Sequence, residues 1–195
     1  MMSLADALFA VSGLTWLAFL VLWLVWGVVT SRRRKVVSKG ASVIPLWLIV
    51  TVAVLLRRSF SGFIPHVQES ALWSGHPAVA AAGFLIQVCG FAFTIWARSY
   101  LGALWSGGVV LREGHTVVDT GPYRLVRHPI YAGLLLAMLG SFLMKGSVFW
   151  LVVLVLTTAA LLWKALAEER LLTRELGEAY AAYRRRTRMI IPWVL

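Results

Sequence analysis

Two short stretches of this chain hold the side chains best suited to gripping a charged ligand. The first reads GPYRLVRHPIYAG, Gly121–Gly133, and sets Tyr123, Arg124, Arg127, His128 and Tyr131 around the start of an apolar run. The second opens with Glu168 and Glu169, just past the next apolar run. A guanidinium is a planar fork that fits a carboxylate, His and Tyr supply further polar contacts, and paired carboxylates receive an ammonium or hydroxyls. Singly, each group has a plainer use: arginines and tyrosines anchor helices at a membrane boundary, a Glu pair after a membrane helix is solvated, and a His before proline satisfies a turn. Their conjunction suits a ligand that carries both signs of charge.

The elements that must position these groups are membrane helices. The chain has 195 residues, 60% of them hydrophobic, with a mean hydropathy of +0.81, well above the roughly half-apolar usage of soluble domains. Apolar runs at Leu4 to Thr30, Val43 to Leu56, Ala78 to Ala97, Ile130 to Met144 and Ser147 to Ala167 predict about five spans, since roughly 20 helical residues cross the hydrocarbon core. The first is read as a retained helix and not a signal peptide, because its basic cluster follows the run. The turn Met144-Lys145-Gly146-Ser147 is short enough to force a tight antiparallel hairpin. That hairpin returns the chain to the side it left, so the basic and acidic stretches should meet. Beyond it, Leu171, Leu172, Leu176, Ala179, Tyr180 and Tyr183 mark an amphipathic terminal helix, with Gly177 a weak point. The expected fold is therefore all-α: a polytopic integral membrane protein with a C-terminal helical hairpin, divided into N-terminal transmembrane helices (1–77) and a catalytic core (78–195).

The net charge of +11 is assigned to topology and anionic headgroups rather than to nucleic acid. Arg32, Arg33, Arg34, Lys35 and Lys39 place the first loop on the cytoplasmic side, which puts the polar cluster there too. The single cysteine, Cys89, lies within an apolar run and reads as a small buried side chain. No metal site is expected.

The segments TGPYRLVRHPIYAG, EERLLTRELGEAYAAYRRR and YLGALWSGGVVLREGHTVVDTGPYR resemble the isoprenylcysteine carboxyl methyltransferase family and its phospholipid N-methyltransferase relatives. The likeness runs from about Arg98 to Pro192, and its Arg-His-Pro-x-Tyr-x-Gly plus Glu-Glu combination is specific. It implies an integral membrane enzyme that uses S-adenosyl-L-methionine without a dinucleotide-type fold; Gly102, Gly107 and Gly108 form no GxGxxG after a strand. Carried over residue by residue, it implies that Arg127, His128 and Tyr131 bind the cofactor's amino-acid end and that Glu168 or Glu169 meets its ammonium or ribose. Tyr123, Pro129 and Gly133 would shape the pocket.

The expected acceptor is lipophilic: the carboxylate of an isoprenylated cysteine or a similar amphipathic molecule. Arg98 is the candidate cation for orienting it, Arg174 a second candidate, and Trp105 a lining residue for its tail. Three alternatives stand beside this reading. A phospholipid amine as acceptor would need a base. A sterol-type reductase using NADPH shares a His-Pro-x-Tyr segment, but this chain has Ile130 and Leu134 where such reductases commonly carry Asn and an acid. A membrane scaffold or transporter would carry its charges within the spans, whereas here they gather at one boundary.

Overall fold

The computed structural model describes residues 4–31, 36–39, 72–73, 76–105, 110–112 and 116–192. Four helices dominate: α1 (Leu4–Ser31), α2 (Pro77–Leu101), α3 (Pro129–Lys145) and α4 (Val148–Arg186). Three are long and apolar enough to cross a membrane, and α3 is a shorter apolar helix; the chain is an all-α membrane protein. The predicted span at Val43 to Leu56 lies outside the described residues. Sequence composition gave no hint of strands, yet β1 (Val36–Lys39) and β2 (Val110–Arg112) pair as a short antiparallel ribbon with a bulge between Val36 and Ser38. It ties the segment after α1 to the segment after α2.

Local chemistry explains the boundaries. Pro77 and Pro129 occupy first-turn positions of α2 and α3, where a missing N–H costs nothing. His76 caps α2 by accepting from the Ala78 N–H at 3.3 Å. Gly146 ends α3 in the left-handed conformation (φ 56°), its N–H donating to Phe142 O at 2.7 Å, and α4 starts two residues later. α4 has 39 residues, about 58 Å at 1.5 Å per residue and so about twice the hydrocarbon thickness. Its apolar first half, through Ala167, supplies the crossing; Glu168 begins a charged half that lies beyond it.

The second half of α4 folds back. At Gly177 the backbone leaves helical geometry (φ 54°, ψ −130°), a conformation that a side chain strains against. The break returns Tyr183 to the 3-10 turn Gly121–Arg124, where its hydroxyl donates to Tyr123 O at 2.6 Å. Past the helix, the Arg127 and His128 N–H groups donate to Arg188 O (2.8 Å) and Met189 O (2.9 Å). Residues 187–190 thus form a strap across the leading end of α3.

α2 and α3 pack antiparallel along a seam of small residues. A Cβ on Gly90 would lie 2.5 Å from Ala137 N and 2.6 Å from Gly133 O, and one on Gly83 would lie 2.7 Å from Gly140 O. Backbones approach this closely only without side chains between them, and the dispersion gained drives association where lipid removes the hydrophobic contrast. α1 adds polar contacts: Ser12 donates to Gln87 Oε1 (2.7 Å), Gln87 Nε2 to Thr15 Oγ1 (2.9 Å), and Trp16 Nε1 to Ser141 Oγ (3.0 Å). On its other faces Leu14, Leu17 and Val21 are exposed, as suits a helix bathed in lipid.

The seam yields a stability test. Gly90→Ala should lower the unfolding stability of the detergent-solubilised protein by roughly 1–3 kcal/mol, because the obstructing atoms are backbone and cannot rotate away. Gly13→Ala, whose Cβ would meet nothing within 4 Å, should be neutral or mildly stabilising. Thermal unfolding of the two variants side by side checks both.

Candidate active site

The hairpin brings the basic and acidic stretches together at one end. Arg127 Nε donates to Glu169 Oε1 at 2.5 Å, with both side chains nearly buried. Tyr131 donates its hydroxyl to Glu168 Oε1 at 2.7 Å, and His128 Nδ1 stands 3.6 Å from Glu168 Oε2. The other ring nitrogen, Nε2, is 3.6 Å from Glu169 Oε1, is buried, and has no hydrogen-bond partner among the described residues. The His128 and Tyr131 rings stack almost parallel, with centroids 5.2 Å apart. Arg184 adds a second cation to Glu169 at 3.3 Å.

Arg127 does more than face an acid. One terminal N–H group donates to the carbonyls of Thr187 and, at 3.4 Å, Arg184. The fork expected to hold a ligand carboxylate is thus engaged with a carboxylate of the chain itself and with the strap. Burial pushes the Glu169 carboxyl up, but the adjoining His128 and Arg127 pull the other way and prevail, holding it at about 2. Glu169 is 5% exposed and Glu168 21%, so Glu168 is the acid an incoming cation reaches more readily.

Lys164 belongs to this cluster, although in sequence it is one more cation within the net charge assigned to topology and headgroups. Its Nζ donates to Tyr131 Oη at 2.7 Å and to Glu168 Oε1 at 3.0 Å. The available signal was its spacing, one helical turn before Glu168 on the same face of α4. Tyr123, Tyr131, Ile130, Leu161, Ala165 and Ile190 pack as the apolar floor beneath it.

Other predicted residues fall elsewhere. Gly133 faces α2 across the seam, where a Cβ would meet Gly90 O at 2.7 Å, so its smallness serves helix packing. Pro129 starts α3. Arg174 is exposed and pairs with its neighbour Glu175 at 2.7 Å; the structure does not bring it into the cluster, because it lies on the solvent side of α4. Arg98 is wholly buried. Its guanidinium lies 3.6 Å from the centroid of Trp105, 4.0 Å from Trp23 and 4.8 Å from Trp26. One nitrogen donates to Trp23 O at 3.0 Å, while Nε and the other terminal nitrogen have no hydrogen-bond partner among the described residues. Trp105 is therefore a wall of this box, and α1, which offered no chemical signal in sequence, supplies two more. Trp23 and Trp105 also pack against the core cluster that contains Tyr131, which makes the box a neighbour of the acid and base groups. The described residues contain no group of three or more His, Cys, Asp or Glu placed to hold a metal ion.

The Glu169 pairing sets a pH dependence. A carboxyl held below its ordinary value contributes stability that is fully present above the unfolded carboxyl's range and is lost as pH falls toward about 2. The unfolding midpoint of the wild type should hold from pH 7 to 5 and drop below pH 4.5 or so. Glu169→Gln should be less stable at pH 7 by roughly 3–5 kcal/mol, since Arg127 loses its buried counter-charge, and should show a shallower acid decline. Thermal scans of both proteins across pH 3 to 8 give the comparison.

Comparison with known proteins agrees with this architecture. The family profile described as phospholipid methyltransferase matches residues 78–179, just over half of the chain. An uncharacterized protein, YpbQ, of Bacillus subtilis (strain 168) is 26% identical over 108 residues, covering 55% of this chain and 60% of its own length. The cobalt-zinc-cadmium resistance protein CzcN of Cupriavidus metallidurans is 32% identical over 151 residues, covering 76% of this chain and 63% of its own. The chain thus spans less than two thirds of either relative. A match over α2, α3 and the charged turn of α4, on a chain whose acid and base groups converge at one end of that hairpin, gives the assignment: this protein belongs to the phospholipid methyltransferase family.

Proposed function

We propose that this protein is an S-adenosyl-L-methionine-dependent methyltransferase acting on a lipophilic acceptor with an acidic head, the carboxylate of an isoprenylated cysteine or a similar amphipathic molecule, at a site facing the cytoplasm. The observation that carries the cofactor half is the buried interleaving of Arg127, His128, Tyr131, Lys164, Glu168 and Glu169 at the hairpin mouth. The donor set fits a ligand with an ammonium, a carboxylate and ribose hydroxyls. His128 Nε2 is a buried nitrogen without a hydrogen-bond partner among the described residues, and Glu168 is the more accessible acid.

When bound, the cofactor supplies an electrophilic methyl group on a sulfonium. The chain's own contribution is position and exclusion of water, which in a closed site account for much of the rate enhancement available to a displacement. Glu168 would receive the cofactor's ammonium or ribose hydroxyls, with Tyr131 and Lys164 fixing its orientation. Glu169 keeps Arg127 and the strap in place and so acts as a positioning residue. Tyr123 and the apolar floor close the site from below.

Arg98 favours an acidic acceptor over an amine. A carboxylate is already ionised near neutral pH and needs a cation to align it, whereas an amine needs a base to take its proton. The box offers a buried cation between tryptophans with two nitrogens that have no hydrogen-bond partner among the described residues, and an aromatic setting of this kind stabilises a guanidinium by about 2 kcal/mol when water is excluded. Burial of unpaired donors is otherwise costly, and an acceptor carboxylate would satisfy them.

Calorimetric titration of the solubilised protein with S-adenosylhomocysteine tests the cofactor site, with NADPH as the control. Saturable binding of the homocysteine compound, weakened about tenfold or more in Glu168→Gln, is expected. Binding of NADPH in its place would instead establish a reductase. Transfer of labelled methyl to N-acetyl-S-farnesylcysteine, compared with phosphatidylethanolamine, tests the acceptor. Arg98→Lys should lower kcat by about 100-fold while leaving S-adenosylhomocysteine affinity unchanged, because Lys keeps the charge and loses the planar fork. Methylation of the phospholipid amine alone would overturn the acidic-acceptor assignment.

A further inference from the structure

Four arginines that the methyl-transfer chemistry does not use converge on one cavity. Arg124, Arg185, Arg186 and Arg188, with Leu125 and Pro192, line a space of about 390 Å³, the low end of the size range of ligand pockets. The cavity exists because Gly177 folds the end of α4 back: Arg124 comes from the turn before α3, Arg185 and Arg186 from the last turn of α4, and Arg188 from the strap. Two of the four are already balanced, Arg185 by Glu178 at 2.5 Å and Arg186 by Asp119. Arg124 and Arg188 make no side-chain ion pair or hydrogen bond among the described residues. The cavity therefore keeps two uncompensated guanidinium forks, and the shape and charge of a phosphate group complement such a pair.

Its position suggests where the phosphate comes from. The turn that carries Arg124 lies five residues before the apolar helix α3, so the cavity opens at the level where lipid headgroups sit. Leu125 on its wall is 47% exposed and Ile191 beside Pro192 is 50% exposed. Exposed apolar side chains bordering clustered arginines at a membrane boundary match an amphipathic ligand, headgroup against the cations and glycerol backbone against the apolar rim. Conversely, among the described residues no carboxylate lines the cavity to receive the ammonium of a zwitterionic headgroup.

We propose that this cavity binds a phosphate group, delivered by an anionic phospholipid headgroup, at a site separate from the methyl-transfer cluster and joined to it through the strap. Arg188 O accepts from the Arg127 N–H, so a ligand on the Arg188 side chain steadies the segment that Arg127 also holds.

The test is thermal unfolding of the full chain in a non-ionic detergent during titration with dihexanoyl phosphatidylglycerol, dihexanoyl phosphatidylcholine and inorganic phosphate, for the wild type and Arg124→Gln/Arg188→Gln. Saturable stabilisation by the phosphatidylglycerol, with apparent affinity about tenfold or more lower in the double variant and for phosphatidylcholine, supports the site and its lipid source. Equal stabilisation by inorganic phosphate, lost in the double variant, supports the site with free phosphate as its source. No stabilisation by either anion, or stabilisation undiminished in the double variant, overturns the proposal. S-adenosylhomocysteine binding reports whether the double variant is folded, and the single Arg124→Gln variant serves if it is not.

Discussion

Arg127 and Glu169 meet across the hairpin mouth where water scarcely reaches, and the rest of the polar cluster is arranged around that contact. Burying two charges costs several kcal/mol each, and their attraction repays this only when the remaining donors and acceptors also find partners. Here they do: Arg127 reaches the carbonyl of Thr187 on the strap and that of Arg184 in the last turn of α4, and Glu169 receives the Arg184 side chain as well. Three pieces of chain far apart in sequence, the start of α3, the charged turn of α4 and residues 187–190, are thereby fixed against one another. The His128 and Tyr131 rings, stacked on the adjoining turn, inherit their positions from that lock.

A second constraint operates deeper in the membrane. The glycine seam brings α2 and α3 close enough to act as one rigid unit, and the polar contacts of Ser12, Thr15 and Gln87 dock α1 onto it. Because α1 is docked, Trp23 and Trp26 close on Arg98. The acid and base cluster and the arginine box therefore rest on separate supports, hairpin closure for one and docking of α1 for the other, and share the apolar floor between them.

Much of this was legible in the residues themselves. The four-residue turn at Met144 to Ser147 dictated the hairpin, and the hairpin dictated that Arg127 and His128 should find Glu168 and Glu169. What stayed hidden depends on partners distant in sequence or on groups without a side-chain signature. Gly133 read as a residue for close packing or for ligand approach, and nothing in the sequence announces that Gly90 lies opposite. Trp23 and Trp26 read as ordinary residues of an apolar helix, since only docking turns them toward Arg98. The strap is held largely by main-chain N–H and C=O groups, which every residue possesses. Lys164 was hidden by its surroundings, one cation among many at a membrane boundary.

The family match begins at residue 78 and ends at residue 179, and so includes neither α1 nor the strap. Both nevertheless close on it: α1 completes the box around Arg98, and residues 187–190 lie across the hairpin mouth. The matched segment is thus covered on two sides by elements that lie outside the match. In this chain, therefore, the wall that Trp23 and Trp26 present to Arg98 can change without altering any residue of the Arg-His-Pro-x-Tyr and Glu-Glu pattern.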